Sequence, residues 1–288
     1  MAKQARSLRG KIVVITGGAR GIGRATATAL AVEGAHVVIG DLDAELTARA
    51  AKEIGPDVVG VRLDVTDHAG FTAALDEIER DIGPIDILIN NAGIMPVSMF
   101  EDETPESTAR QVAVNFLAPL HGTRDAIGRM KPRRRGHIVN VASMAGVIPT
   151  PGASTYSATK HAVVGLTESV SWELRGSGVD ISCVLPALVN TELAVGIQRT
   201  RASRTIEPEV VATEIVNALK WPKLMVFAPK SMAAITKWSG LLPRAVGDKM
   251  MTATGSDHLL ADAITTGERA DYEARVAAST PASDPAHP

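Results

Sequence analysis

Short runs of aliphatic and β-branched residues alternate with longer helical patterns along most of the chain, and this alternation constrains the fold most. The predicted strands are residues 11–16, 36–41, 58–63, 86–90, 137–142, 179–185 and 223–228. The predicted helices are residues 21–33, 44–54, 69–82, 105–129, 155–175 and 208–219. Strands and helices that alternate in this way form a parallel sheet through right-handed crossovers. We therefore predict an α/β fold with a single doubly wound parallel sheet of about seven strands and helices on both faces.

The domain organisation follows from where this alternation stops. The chain has 288 residues, of which 45% are hydrophobic, so it can bury a substantial core. No repeat or linker interrupts residues 1–228, which we predict to be one domain. Residues 229–276 are predicted to form a C-terminal helical extension that covers a ligand site or an interface. The Ala/Ser/Pro-rich residues 277–288 are predicted to be a disordered tail.

Charge, cysteine and histidine content exclude several classes of function. The net charge is −2, and the basic run of Lys131 and residues 133–135 has no interleaved aromatic residues, so we predict no nucleic-acid partner. The single cysteine, Cys183, permits no intrachain disulfide and is predicted to lie in the core. The seven histidines are scattered and show no metal-ligand spacing, so we predict no metal.

No stretch of the chain has the length and apolar character of a membrane span or a secretory signal. Residues 1–10 carry three basic residues without an apolar stretch behind them. No run reaches the roughly 18 apolar residues that a span needs. We expect a cytoplasmic protein, although the apolar face of residues 231–242 leaves peripheral docking on a membrane or a partner open.

A glycine-rich turn joins the first predicted strand to the first helix. In residues 16–23, Gly17, Gly21 and Gly23 allow a pyrophosphate to approach the backbone, and the helix N-terminus supplies free N–H groups. A P-loop has similar glycine spacing, but Arg24 and Ala25 stand where its lysine and hydroxyl residue belong. The turn therefore favours a Rossmann-like dinucleotide site over an NTPase.

Asp41 ends the second predicted strand, 18 residues after Gly23. A carboxylate there can accept hydrogen bonds from the adenosine ribose and would repel a 2′-phosphate, so NAD is predicted and NADP is less favoured. Arg20 and Arg24 are close enough in sequence to offset that repulsion. Asp41 could instead cap a helix, a role that Asp43 could equally take.

Tyr156 and Lys160 are four residues apart in a predicted helix, so their side chains share one face. A phenol titrates near pH ~10, and a neighbouring ammonium group favours its ionised form. The spacing therefore predicts a proton-transfer pair in which the pKa of Tyr156 is lowered. A tyrosine beside a solvated lysine is the alternative.

The chain resembles the short-chain dehydrogenases/reductases over about residues 8–191. The resemblance rests on motifs that occur in the family's order: Thr16-Gly17-x-x-x-Gly21-x-Gly23, Asp64-Val65, Asn90-Asn91-Ala92-Gly93, Asn115, Ser143, Tyr156-x-x-x-Lys160, Pro186 and Thr191. It implies transfer of a hydride between NAD(H) and a secondary alcohol or ketone. It also implies a homodimer or homotetramer formed through the helices at 105–129 and 155–175.

The resemblance implies a role for each matching position. Tyr156 would be the general acid/base, and Ser143 would hydrogen-bond the reacting oxygen. Lys160 would lower the pKa of Tyr156 and bind the nicotinamide ribose, while Asn115 would hold a water of a proton relay. Ser143 could instead cap a turn, and Asn115 could merely hydrogen-bond within a helix. The implied cofactor-binding residues are Gly17, Arg20, Gly21, Ile22, Gly23, Asp41, Leu42, Asp64, Val65, Asn91, Ala92, Gly93, Tyr156, Lys160, Pro186, Val189 and Thr191.

The substrate has to be inferred from two stretches expected to border the pocket, residues 94–100 and 188–204. Their apolar residues predict a lipophilic substrate such as a hydroxysteroid, or a retinol-like alcohol, unless they simply pack on the sheet. These residues are Ile94, Met95, Val97, Met99, Leu193, Val195 and Ile197.

Ala187 departs from the glycine that the family has after Pro186. A non-catalytic NAD(H) sensor or scaffold with the same fold is the alternative function.

Overall fold

The computed structural model describes residues 4–197, 205–234, 249, 252, 260, 263–264 and 267–279. Its centre is a seven-stranded sheet in which every strand pairs in parallel with its neighbours, in the order β3-β2-β1-β4-β5-β6-β7. This confirms the predicted fold. The strands are β1 Ile12–Thr16, β2 His36–Asp41, β3 Val58–Arg62, β4 Ile87–Asn90, β5 Gly136–Val141, β6 Val179–Pro186 and β7 Met225–Ala228.

Helices follow most strands, and several of them begin at a side chain that caps their first turn. Asp43, Asp67 and Thr104 accept hydrogen bonds from backbone N–H groups at the starts of α2, α3 and α4. The helices are α1 Gly21–Val32, α2 Ala44–Ile54, α3 His68–Asp81, α4 Pro105–Val112, α5 Ala118–Met130, α6 Ser154–Glu173, α7 Pro208–Lys220 and α8 Ala270–Ala278.

The core consists of two apolar layers, one on each face of the sheet. Side chains alternate between the faces of a strand, so Val13 and Ile15 of β1 enter one layer while Ile12 and Val14 enter the other. Helices α1, α2 and α7 cover the first layer, and α3, α5 and α6 cover the second. Burial on both faces explains why the strand sequences are almost continuously apolar.

The strand order reverses between β1 and β4, which creates a switch point at the carboxyl edge of the sheet. Chain connections run outward from β1 toward β3 on one side and from β4 toward β7 on the other. Ligands of open α/β sheets bind in the crevice outside such a point. The glycine turn after β1 and the segment after β4 both open onto this crevice.

The long helix predicted over residues 105–129 is interrupted by a π-helical turn, Ala113–Leu117. Pro119 explains the interruption. Proline has no N–H to donate to the carbonyl four residues earlier, which belongs to Asn115, and its ring crowds that carbonyl. The prediction of one regular helix is therefore wrong at this point, and the irregular turn lies at a predicted site residue.

The C-terminal region is only partly described. Residues 235–242 of the predicted apolar segment and residues 280–288 of the predicted tail lie outside the described residues. Helix α8 ends at Ala278, two residues beyond the boundary predicted for the extension. Within the described part of the chain, no helix combines the length and hydropathy needed to cross a bilayer.

Candidate active site

A cleft of about 1070 Å³ runs along the carboxyl edge of the sheet, from the end of β2 past the switch point to α8. It brings together almost all of the predicted site residues, although they come from widely separated parts of the sequence. Among the predicted catalytic and cofactor-binding residues, Gly23 and Asn115 are the two that do not line it. Gly23 packs against the carbonyl of Gly17, so it shapes the turn from behind.

The glycine turn lies against the loops that follow β4 and β6. A Cβ at Gly17 would be 2.9 Å from the Cα of Ala92, and one at Gly21 would be 3.1 Å from the Cγ2 of Thr191. Both glycines also have positive φ angles, of 63° and 51°, which favour a residue without a side chain. The turn therefore exposes bare backbone to the cleft, as close approach of a pyrophosphate requires.

Asn91 ties the loop after β4 to this turn. Its Nδ2 donates hydrogen bonds to the carbonyls of Thr16 and Gly17, at 2.9 and 3.0 Å. The hydroxyl of Thr16 in return accepts hydrogen bonds from the backbone N–H groups of Asn91 and Ala92, both at 3.0 Å. The Asn91 side chain thus lines the cleft but uses its amide hydrogens to hold the turn in shape.

Asp41 is free of the capping role that the sequence left open for it. Asp43 caps α2, with its Oδ1 accepting a hydrogen bond from Leu46 N at 2.9 Å. The carboxylate of Asp41 accepts hydrogen bonds from the backbone N–H groups of Ala19 and Leu42, at 3.3 and 2.9 Å, and lines the cleft. It is therefore placed to accept hydrogen bonds from a ligand.

The two arginines near this carboxylate are already paired with other acids. Arg20 contacts Glu192 at 3.0 Å, and Arg24 contacts Glu53 at 2.6 Å. Ion pairs of this kind lower the positive potential that each arginine presents to the cleft. Asp41 therefore dominates the local charge at the end of β2.

Ser143 and Tyr156 meet at the carboxyl end of β5. Ser143 follows β5, and its Oγ accepts a hydrogen bond from Ala145 N at 3.1 Å, so it does cap a short 3₁₀ turn. It also hydrogen-bonds the hydroxyl of Tyr156, which projects from the first turn of α6. The capping role and the contact with the tyrosine therefore coexist.

The structure reverses the direction predicted for the pKa of Tyr156. Burial raises the pKa of this phenol above its ordinary value, and the hydrogen bond from Ser143 lowers it by a smaller amount. Lys160 lies beside the ring, with its Nζ 5.7 Å from the ring centroid. The predicted lowering of the phenol pKa is therefore not seen, because burial is the largest influence on the pKa of Tyr156.

Lys160 is buried, and its ammonium group donates a hydrogen bond to the carbonyl of Val141 at 3.0 Å. Burial lowers the pKa of Lys160 to about 8. Gly93 lies beside this ammonium group, since a Cβ at Gly93 would be in van der Waals contact with Nζ at 3.5 Å. Lys160 thus enters the cleft as a cation at neutral pH, with two of its three N–H donors left after Val141.

Asn115 lies behind the cleft in the π-helical turn and is fully buried. Its side chain holds the backbone of Ile94 by two hydrogen bonds of 2.9 Å, one to the carbonyl and one from the N–H. The side chain is therefore taken up by the protein, and Pro119 has no N–H to donate to the backbone carbonyl of Asn115.

Tyr272, Arg275 and Val276 of α8 also line the cleft, and the sequence analysis missed them. Arg275 reaches across to Glu192 at 2.8 Å. No motif marks these residues, and their contacts lie more than 80 positions away along the chain. The only related prediction was that residues 229–276 form an extension covering a ligand site or an interface.

A parallel sheet with a glycine turn at its switch point, and a Ser–Tyr–Lys group beside it, defines an oxidoreductase of the dinucleotide-binding α/β class. The model of the short chain dehydrogenase family matches residues 11–202. The chain belongs to this family, as the motifs predicted.

Individual relatives agree with this assignment. Momilactone A synthase of Oryza sativa is 38% identical over 221 residues, covering 76% of this chain and 78% of the relative. A 3-alpha-(or 20-beta)-hydroxysteroid dehydrogenase of Mycobacterium bovis is 37% identical over 213 residues, covering 73% and 82%. A crystal structure of a Burkholderia phymatum short chain dehydrogenase/reductase in complex with NAD has a TM-score of 0.74 and 30% identity, covering 81% of this chain and 93% of that one.

Proposed function

We propose that the protein transfers a hydride between NAD(H) and a lipophilic secondary alcohol or ketone, with Tyr156 as the general acid/base. The observation that carries the proposal is the meeting of Tyr156, Ser143 and Lys160 in one cleft with the glycine turn. In an open α/β sheet, a dinucleotide binds in the crevice along the carboxyl ends of the strands. The proton donor then lies at the end where the nicotinamide would be.

The residues of the cleft fit a nicotinamide dinucleotide. The bare backbone at Gly17 and Gly21 suits the pyrophosphate, and Asp41 suits the adenosine ribose. Asp41 disfavours the 2′-phosphate of NADP, and the pairing of Arg20 and Arg24 with acids leaves this preference in place. Solved relatives in complex with NAD and with NADH support the same choice.

The remaining cofactor contacts carry over from the resemblance. Asp64 would meet the adenine amino group; its Oδ1 is engaged by Thr66, at 2.9 Å from the N–H and 2.7 Å from the hydroxyl. Val65 would pack beside the adenine ring. Further contacts are proposed for residues that line the cleft: Arg20, Ile22, Leu42, Asn91, Ala92, Gly93, Pro186, Val189 and Thr191.

Proton transfer falls to the side chains of this chain, while the bound nicotinamide supplies or accepts the hydride. In reduction, the Tyr156 hydroxyl donates its proton to the substrate oxygen as negative charge develops there. Ser143 donates a second hydrogen bond to the same oxygen and orients it. The raised pKa of Tyr156 keeps the phenol protonated at neutral pH, which suits the donor role.

Lys160 and Asn115 complete the proposed proton-transfer group. The ammonium group of Lys160 binds the nicotinamide ribose with the donors that Val141 leaves free, and stabilises an ionised Tyr156 after the proton has left. The backbone carbonyl of Asn115 holds a water that returns a proton to Lys160. The side chain of Asn115 keeps Ile94, and with it the wall of the cleft, in position.

The walls around the reacting end support a lipophilic substrate. Met95, Ile197 and Leu260 are buried in an apolar cluster that also contains Tyr156, and all of them line the cleft. Of the residues predicted to border the pocket, Ile94, Met95, Leu193 and Ile197 do line it. Val97, Met99 and Val195 do not line the cleft, and the last two are exposed to solvent instead.

Oxidation of NADH, followed by its absorbance against a panel of steroid, cyclic and aliphatic ketones, tests this function. We expect turnover with lipophilic ketones, and slower turnover when NADPH replaces NADH. Tyr156→Phe should lower kcat by about 10²- to 10⁴-fold with a far smaller change in NADH affinity, because the proton donor is lost while the aromatic ring stays in place. NADH binding with no turnover across the panel, in the native protein as in the variant, would instead support a sensor or scaffold.

The assembly that the resemblance implies is a homodimer or homotetramer. Exposed apolar side chains on the long helices support it, namely Leu117 beside α5 and Trp172 on α6. Sedimentation of the native protein and of Trp172→Glu tests this proposal, since a buried charge at the contact should shift the protein toward monomer.

A further inference from the structure

Tyr272 of α8 has no part in the proton-transfer group, yet its phenol lines the same cleft. The residue is only 6% exposed. Its hydroxyl oxygen accepts a hydrogen bond from the backbone N–H of Met95 at 2.8 Å. A polar group is therefore held in the apolar wall of the pocket, which calls for a second partner.

The hydroxyl of Tyr272 still has a proton to donate. A phenol both donates and accepts, and the contact with Met95 uses only its acceptor side. In the part of the chain that the structure describes, no oxygen or nitrogen accepts a hydrogen bond from it. Burial raises the pKa of Tyr272, so the phenol keeps this proton across the neutral range.

Arg269 holds this phenol in place. The guanidinium group is 2% exposed and lies 4.7 Å from the centroid of the Tyr272 ring. It donates hydrogen bonds to the carbonyls of Met95, Leu193 and Val195 at 2.6–2.8 Å, and to Glu273 at 3.1 Å. The loops after β4 and β6 are thus fastened to α8 through one side chain, which fixes the direction in which the Tyr272 hydroxyl points.

The pocket is consequently polar at two places and apolar between them. Tyr156 and Ser143 form one polar place, and the hydroxyl of Tyr272 forms the other. Met95, Leu193 and Ile197 supply apolar wall in the same pocket. Both phenols line the same cleft, so a single ligand can touch both.

We propose that Tyr272 is a specificity-determining residue that donates a hydrogen bond to a second oxygen of the substrate. The substrate is then a lipophilic ketone or secondary alcohol that carries a further carbonyl or hydroxyl group. This inference rests on the proposed function, which supplies the position of the reacting oxygen. It assigns to α8 a direct contact with the substrate in addition to covering the cleft.

Two matched pairs of ketones test the proposal, one with widely and one with closely spaced oxygens: androstane-3,17-dione against 5α-androstan-3-one, and cyclohexane-1,2-dione against cyclohexanone. Their dissociation constants and kcat/KM values are measured in the presence of NADH for the native protein and Tyr272→Phe. We expect the variant to lose about 10-fold in affinity and kcat/KM for the dione of one pair, as for one lost hydrogen bond. Its mono-ketone should change little, because Phe preserves the ring.

The controls separate this inference from the proposed function. Asp271→Asn alters an exposed neighbour on α8 and should leave all four ketones unaffected. Binding that depends on Tyr272 without any reduction would contradict the proposed function and leave the role of Tyr272 intact. Equal effects of Tyr272→Phe on both members of each pair, or no binding of any of the four, would overturn the inference.

Discussion

The half of the cleft that we propose for the cofactor, here called the cofactor half, contains the glycine turn with Asp41 and Asp64 and is built mainly from backbone at strand ends. The half that we propose for the substrate, here called the substrate half, contains Met95, Leu193 and Ile197 and is closed by side chains from residues 267–279. Bare glycines give the first half its shape, whereas a buried guanidinium group holds the second together. The shape of the cofactor half should therefore be disturbed by adding a side chain at a glycine. The shape of the substrate half should be disturbed by removing the guanidinium group.

The contrast also predicts that the two halves tolerate amino-acid substitutions differently. A backbone that must touch a pyrophosphate tolerates few residues, so the cofactor half carries recognisable motifs. The family match ends at residue 202, and α8 lies beyond it. Residues of α8 can be substituted without disturbing the sheet, because α8 covers the cleft through its side chains. Only the part of the substrate half that comes from α8 is thus separated along the chain from the residues proposed to bind the cofactor.

The largest effect is expected from adding a side chain to the cofactor half. Gly17→Val should raise the dissociation constant for NADH by about 100-fold, because a Cβ there meets the backbone of Ala92 and the φ angle is positive. NADH fluorescence measures the change. Gly128→Val is the matched control, since no atom lies within 4 Å of a Cβ at this exposed helical position. An unchanged affinity in Gly17→Val would contradict the view that bare backbone forms this half.

A smaller effect is expected from removing the guanidinium group in the substrate half. Arg269→Met should lower kcat/KM for ketones by about 10-fold through misplacement of Met95 and Leu193, with NADH affinity unchanged. Hydrogen exchange should accelerate in residues 270–278, which lose their attachment. Arg80→Met, at an exposed arginine paired with its neighbour Asp81, is the control. A loss of NADH affinity in Arg269→Met would show that the two halves are not independent.

The smallest expected effect is a change of NADH affinity with pH, caused by Lys160, which lies between the two halves. The pKa of Lys160 is lowered to about 8, so the ammonium form exists below this pH and is lost as the pH rises through it. We expect NADH affinity to fall by about fivefold between pH 7 and pH 9 as charge-assisted hydrogen bonds disappear. Titration of Lys160→Met should show weaker binding that does not change over this range. The same pH dependence in both proteins would assign the effect to another group.

The fold and the cofactor half could be predicted from the sequence because their signals are local. Strand β1 is buried throughout, begins with four aliphatic residues and runs directly into the glycine turn, so the signals for the strand and for the turn are adjacent in sequence. The π-helical turn was missed although Pro119 gave the signal, because helical periodicity continues across it. The pKa direction of Tyr156 was missed because spacing reveals the lysine but not the depth of burial.

The substrate half could not be predicted in the same way. Tyr272 contacts Met95 across 177 positions of sequence, and neither residue belongs to a motif. Arg269 looks like a surface arginine at the start of a charged helix, yet it is among the most buried large side chains of the described chain. Long-range contacts of this kind depend on where the C-terminal residues pack against the rest of the fold. The periodicity of the sequence does not encode that position.

The position of α8 also sets the order in which the protein can be completed during synthesis. A chain leaves the ribosome from its amino end, and its early segments can fold before its last residues appear. All seven strands and the glycine turn precede residue 229, whereas Arg269 and Tyr272 lie among the final twenty residues. The nascent protein can therefore complete the proposed cofactor half while the proposed substrate half is still open.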